Sequence, residues 1–118
     1  MTDTNTLSNT ILEGILDKKG EQITLLNLEK VENAFCDRFI ICQANSNTQV
    51  SAIAGSIEKK VKDDLNIKVH HREGLDNSVW VLLDYNAILV HIFQSEYRDH
   101  YKLEELWGDA QITEIKES

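Results

Sequence analysis

Apolar residues recur at helical spacing near the start of the chain, where Leu7, Ile11, Leu12, Ile15 and Leu16 fall on one face. Thr4 or Thr6 can cap this helix and Gly20, just past Lys18-Lys19, can stop it. Gln22 to Leu28 alternates imperfectly, Ile23 and Leu25 against Thr24 and Leu26, and Asp37 to Ala44 holds the nearly all-apolar run Phe39-Ile40-Ile41-Cys42. These predict two strands, the second buried on both faces. Ser46-Asn47-Thr48-Gln49 has the form of a capping box, in which the Ser hydroxyl and the Gln side chain satisfy the free N–H groups of a helix start. Val50, Ile53, Ala54, Ile57, Val61 and Leu65 then line one helical face, with Glu58 and Lys62 one turn apart on another. Ile67 to Arg72 predicts a short strand, Glu73 to Asn77 a loop, and Val79 to Asp84 and Ala87 to Phe93 two strands joined by a Tyr85-Asn86 turn. A short helix capped by Ser95, the segment Leu103 to Trp107 and a polar tail from about residue 111 complete the chain.

This order, α-β-β-α-β-β-β-α, predicts an α/β class fold: a single domain over residues 1–118, a mixed sheet of about five strands and two main helices on one of its faces. The connection from the second strand through the capped helix to the third is long enough for a right-handed parallel crossover. At 118 residues, 42% of them hydrophobic and none of them proline, the chain has the apolar content of one globular domain.

Charge narrows the function classes. Twenty acidic against twelve basic side chains leave a net −8, whose average field repels phosphate backbones, so a general nucleic-acid binder is not expected, nor any direct sequence-specific contact with nucleic acid. Apolar runs such as Val79 to Leu83 fall far short of the ~20 residues that span a bilayer. The N-terminus has neither the basic nor the apolar region of a signal peptide, which leads to the expectation of a cytoplasmic protein. Cys36 and Cys42 match no zinc or redox spacing and are expected to be reduced, packed thiols.

Candidate chemistry is sparse. His70 and His71 are adjacent on a predicted strand, so their side chains point to opposite faces and cannot chelate one ion together; His91 and His100 lack a partner spacing, and His91 is expected to be a hydrogen-bonded structural residue. Neither a metal nor any other cofactor is expected. Gly55-Ser56 resembles the glycine-serine of nucleotidyltransferases, but the strands that follow offer only Asp84 where that chemistry needs paired carboxylates to hold metal against a triphosphate. A small residue that lets the helix approach the sheet is the better reading of Gly55. No phosphate-cradling loop or nucleophile elbow appears.

The hairpin Ser78 to Phe93 is the distinctive segment. Alternation sets Val79, Val81 and Leu83 against Trp80, Leu82 and Asp84, and Ile88, Val90 and Ile92 against Leu89, His91 and Phe93, so both faces are apolar. One face covers the core under the helices. The other, aromatic with charges at its rim, either forms a protein-binding patch or is covered by the chain's own tail through Tyr97, Tyr101, Leu106 and Trp107; a mixture of the two fits best.

These residues carry a resemblance. Asp37 to Ile41, Ser46 to Ala54, Glu73-Gly74, Trp80 to Tyr85, His91 to Phe93 and the tail Glu96 to Ala110 are together similar to the ribosomal silencing factor (Iojap) family, from about Leu7 to Ala110. The resemblance implies a nucleotidyltransferase-like fold without the catalytic carboxylates and a non-enzymatic role: binding of the large ribosomal subunit through ribosomal protein L-fourteen, which blocks joining of the small subunit and lowers translation when nutrients are short. Carried over by position, it implies a binding surface of Trp80, Asp84 and Tyr85, with His91, Phe93, Tyr97 and Arg98 nearby and Glu73 and Asp37 as further candidates. The chain departs from the family's common Thr-Asp-Tyr-Phe with Cys36-Asp37-Arg38-Phe39, and has Gln94-Ser95 where His-Pro often follows the last strand. The alternatives are a nucleotidyltransferase-like enzyme, which would need the missing carboxylate pair, and a small-ligand regulatory domain, which would need the missing phosphate loop. Self-association through the same hairpin face stays open.

Overall fold

The computed structural model describes residues 3–32, 34, 36–101 and 111–115. Their elements run α1 (Thr4–Asp17), β1 (Glu21–Asn27), β2 (Arg38–Ala44), α2 (Asn47–Leu65), β3 (His71–Glu73), β4 (Trp80–Asp84), β5 (Ile88–Gln94), α3 (Ser95–Tyr101) and β6 (Gln111–Ile115). The sheet order is β3-β4-β5-β2-β1-β6. Only β2 and β5 pair in parallel, Phe39 with Leu89 and Ile41 with His91; the other neighbours are antiparallel. The parallel partner of β2 is therefore β5, not the third strand expected from the sequence. β3 is an edge strand of three residues beyond β4, and Ile67 and Val69, whose apolar character suggests a longer strand, instead pack against the core from outside any strand. The polar segment at residue 111 is a sixth strand, registered on β1 by Leu26 with Ile112 and Ile23 with Ile115.

α1 and α2 cover one face of the sheet. Leu7, Ile11 and Ile15 from α1 and Val50, Ile53, Ala54, Ile57 and Val61 from α2 join Ile40, Cys42, Val81, Leu83, Val90 and Ile92 in the main core. The two helices approach closely at Gly14, where an added Cβ would lie 2.9 Å from the Ile57 Cα, and Ser56 Oγ donates to the Gly14 carbonyl at 2.8 Å. Gly55 has nothing within 4 Å of its Cβ position, so Gly14, and not Gly55, is the residue that permits a close approach, and that approach is helix to helix rather than helix to sheet.

Caps explain where these helices stop. The α1 N-cap is Asp3, whose carboxylate accepts from the Thr6 N–H at 2.7 Å, in place of the threonines expected there. That backbone hydrogen bond is the main reason the Asp3 carboxyl titrates below its usual range. At the other end Lys19 N donates to the Leu16 carbonyl and Gly20 N to the Ile15 carbonyl, a Schellman arrangement with Lys19 at φ 59°, where glycine is the usual occupant. Lys19→Gly is expected to relieve that strain and stabilise the fold by about 0.5–1 kcal/mol. A thermal melt should show the midpoint rise by about 3 °C; an unchanged or lower midpoint would refute it. Ser46 caps α2 as expected, accepting from Gln49 N at 3.1 Å, while the Gln49 side-chain amide donates to the carbonyls of Lys18 and Lys19. It thereby fastens the end of α1 to the start of α2. The ion pairs on α2 are also not the expected Glu58–Lys62: Lys59 pairs with Asp63, Lys60 with Asp64, and Glu58 with Arg72 of β3.

Candidate functional site

The sheet face turned away from α1 and α2 has its own smaller apolar cluster. Leu26, Leu28, Phe39, Ile41 and Phe93 are buried there, with Trp80, Leu89, Val31, Ala34 and Cys36 packed against them. Strand alternation delivers these residues as the hairpin pattern requires: Trp80, Leu82 and Asp84 of β4 lie beside Phe93, His91 and Leu89 of β5 in direct register. The rings form a block. Trp80 stacks on Phe93 with centroids 5.1 Å apart, and His91 meets Phe39 edge to face at 4.7 Å. The Trp80 indole N–H donates to His91 Nδ1 at 3.1 Å, which places the imidazole proton on Nε2 and makes His91 the hydrogen-bonded structural residue expected.

Cover is uneven across this face. Residues from the β1–β2 connection, Val31, Ala34 and Cys36, shield one end. Toward the other side, α3 follows directly from β5 and sends Arg98 back over the sheet, where the guanidinium donates to the Gln22 carbonyl, to Gln43 Oε1 at 3.3 Å and to Thr24 Oγ1 at 2.9 Å. A register shift in β1 with Gln22 at φ 50° turns that carbonyl toward Arg98. Between these covers Trp80, Leu82, Asp84 and Leu89 remain half-buried, a side-by-side group on two neighbouring strands. Among the described residues the face is thus partly shielded and partly open, and the shielding comes from the β1–β2 connection and Arg98. Of the tail residues considered as cover, Leu106 and Trp107 lie outside the described residues, as does the side chain of Tyr101.

The candidate residues divide accordingly. Trp80 and Asp84 sit on the open part, and Glu73 stands on the exposed edge strand opposite Leu82. Asp37 lies half-buried where β2 begins, and Tyr97 is 39% exposed on α3. His91 and Phe93 are buried beneath Trp80 and support it. Arg98 binds its own sheet. Tyr85 belongs to the opposite side: it is only 5% exposed, packs in the helix-side core, and burial pushes its phenol pKa upward. It therefore does not join Trp80 and Asp84 in one surface, because it follows Asp84 by a single residue and alternation sends it to the other face. Leu82 and Leu89 complete the open patch; sequence reasoning misses them as binding residues, because ordinary leucines carry no signal beyond their parity.

Asp84 is partly committed locally, since one carboxylate oxygen accepts from the Asn86 N–H at 2.7 Å and shapes the turn. Its register partners are His71 and Leu89, neither of them a carboxylate. Both cysteines are free; burial pushes the Cys42 thiol up to about 12 and the Cys36 thiol up to about 11, so each is a protonated, inert packing group at neutral pH. Arg38 is held on the helix side by Asn5 and Glu29. Among the described residues no helix is long and apolar enough to cross a membrane.

Comparison with known proteins decides the family. The family model described as "Ribosomal silencing factor during starvation" matches residues 2–118. The chain belongs to the ribosomal silencing factor family. It is 41% identical over 100 residues to the ribosomal silencing factor RsfS of Halalkalibacterium halodurans, covering 85% of this chain and 84% of that one, and 40% identical over 99 residues to RsfS of Bacillus subtilis, covering 84% and 82%. A match to the chloroplastic protein Iojap of Zea mays, 38% identical over 77 residues, spans 65% of this chain and 33% of that protein. Crystal structures agree on the fold. One from Chromobacterium violaceum has a TM-score of 0.85 at 29% identity over 99% of this chain and 97% of the other, and one from Bacillus halodurans a TM-score of 0.81 at 33% identity over 95% and 100%. Membership of this family gives the chain a regulatory, ribosome-associated role.

Proposed function

We propose that the chain binds the large ribosomal subunit through ribosomal protein L-fourteen and, by its volume, blocks association with the small subunit, repressing translation in the cytoplasm under nutrient limitation. The observation that carries this reading is the half-open patch of Trp80, Leu82 and Leu89 rimmed by Asp84 and Glu73, on a chain of net charge −8. An aromatic anchor inside an acidic rim suits a cationic protein surface, and the net charge discourages docking elsewhere on exposed RNA. Tyr97 and Asp37 extend the contact at its margins, while His91, Phe93 and Arg98 hold Trp80 and α3 in place. Tyr85 contributes from the core by fixing the end of β4. Obstruction needs no catalytic group.

Sedimentation of purified ribosomal subunits under joining conditions tests the proposal. Added protein is expected to reduce the joined fraction in proportion to its occupancy of large subunits, approaching full inhibition near one molecule per subunit. Full joining at saturating occupancy would overturn the obstruction, and failure to bind large subunits would overturn the docking itself.

A further inference from the structure

The chain's positive charge is concentrated in one place. Residues 58–72 hold five of its twelve lysines and arginines and three of its twenty acidic residues, so that segment carries +2 and the remainder −10, before two histidines at positions 70 and 71 are counted. The fold gathers this segment into a groove between the second half of α2, the connection that follows it and the edge strand β3. Lys59, Lys62, Lys68, His70, His71 and Arg72 line it, with Glu58 and Asp63 as its acidic members. Lysines near a helix C-terminus have an ordinary role in offsetting the dipole, and Lys62, which reaches Asn66 Oδ1 at 2.8 Å, fits that role. It does not account for Lys68, His70, His71 and Arg72, which lie beyond the helix. The acidic side chains neutralise the groove only in part: half-buried Glu58 holds Arg72, Asp63 holds Lys59 and Glu73 stands 2.9 Å from His71 Nε2, but each pair has a partner open to solvent, and such surface pairs are weak and exchangeable for another anion.

The groove adjoins the candidate docking face. His71 pairs across the ladder with Asp84 and Glu73 with Leu82, so β3 is the boundary between the apolar, acid-rimmed patch and the cationic groove behind it. Resting on the docking proposed above, we infer that this groove receives the phosphate backbone of ribosomal RNA lying beside the cationic protein on which the patch docks. The two surfaces then read opposite charges next to each other: acid rim on protein, basic groove on RNA. The protein's large negative remainder keeps the groove from binding RNA elsewhere with useful affinity, so phosphate contact sets orientation without sequence readout.

The test uses Lys68→Gln/Arg72→Gln, both exposed positions, against Lys18→Gln/Lys19→Gln, which changes net charge equally at exposed positions that do not line the groove. Affinity for purified large subunits is measured between about 50 and 200 mM salt, with isolated L-fourteen as a second ligand. The groove variant is expected to bind subunits about tenfold more weakly and to lower the salt slope of log K by about 2, because each phosphate contact removed releases about 0.9 fewer counterions, while its affinity for isolated L-fourteen stays unchanged. The control variant should match the wild type. Equal affinity and slope for groove variant and wild type would overturn this inference alone, as would a parallel weakening on isolated L-fourteen, which would make the groove's partner a protein. Wild type that fails to bind subunits would instead overturn the docking and this inference with it.

Discussion

Leu82→Lys is expected to weaken binding to large subunits by at least thirtyfold while leaving the fold within about 1 kcal/mol of the wild type. Leu82 lies half-buried between Trp80 and Asp84 on β4, opposite Glu73 on β3. In the free protein a lysine there has a short route to solvent and two carboxylates beside it, and a cross-strand pair of opposite charges contributes roughly 0.2–1 kcal/mol, which offsets the apolar packing that leucine supplied. Against a cationic partner the same lysine places like charge at the centre of the interface and must be desolvated, so the cost falls on the complex alone. Trp80→Ala serves as the contrast. It removes the stack on Phe93 and the donor to His91 Nδ1, so it should lose affinity to a similar degree and also destabilise the fold by about 2–3 kcal/mol. Equilibrium binding and urea unfolding on both variants separate the two effects. A Leu82→Lys protein that binds as tightly as the wild type would remove this face from the interface.

How much of this is legible in the chain depends on what kind of signal each feature leaves. α1, α2, β2, β4 and β5 each bury a continuous or strictly alternating apolar set, and parity alone assigns Trp80 and Leu82 to one face and Val81 and Leu83 to the other. β6 leaves no such trace: Ile112 falls on one face and Ile115 on the other, so Gln111–Ile115 reads as polar until its pairing with β1 is seen. Pairing β2 with β5 also leaves no local mark, since a strand's neighbour is chosen by the whole sheet. Arg98 reads as a surface residue because charged residues on short helices usually are; its three acceptors come from β1 and β2, more than fifty positions away in sequence. Tyr85 misleads for the opposite reason, as proximity to Asp84 in sequence suggests proximity on the surface, whereas successive strand residues face apart.

The second large effect concerns Gly74, the residue after β3. It has φ +87°, and a Cβ built on it would lie 2.0 Å from the Trp80 carbonyl oxygen and 3.2 Å from the Val81 Cα. Both obstacles are backbone, which cannot swing aside as the end of a flexible side chain can. Gly74→Ala must therefore either force the left-handed region on an alanine and move the start of β4, or release β3 from the sheet; a destabilisation of about 3 kcal/mol or more is expected. The loop offers little slack, because Ser78 N donates to the Gly74 carbonyl at 2.9 Å, Ser78 itself has φ 54°, and Val79 N donates to Asn77 Oδ1 at 3.2 Å. The displaced carbonyl belongs to Trp80, so the shift is transmitted at once to the indole, its bond to His91 and the open patch. Hydrogen exchange should show amides of residues 71–84 losing protection before those of α1 and α2, and large-subunit affinity should fall with it. Uniform protection and wild-type affinity in Gly74→Ala would mean that this turn tolerates a side chain, and that the position of Trp80 is set by the sheet without help from the turn.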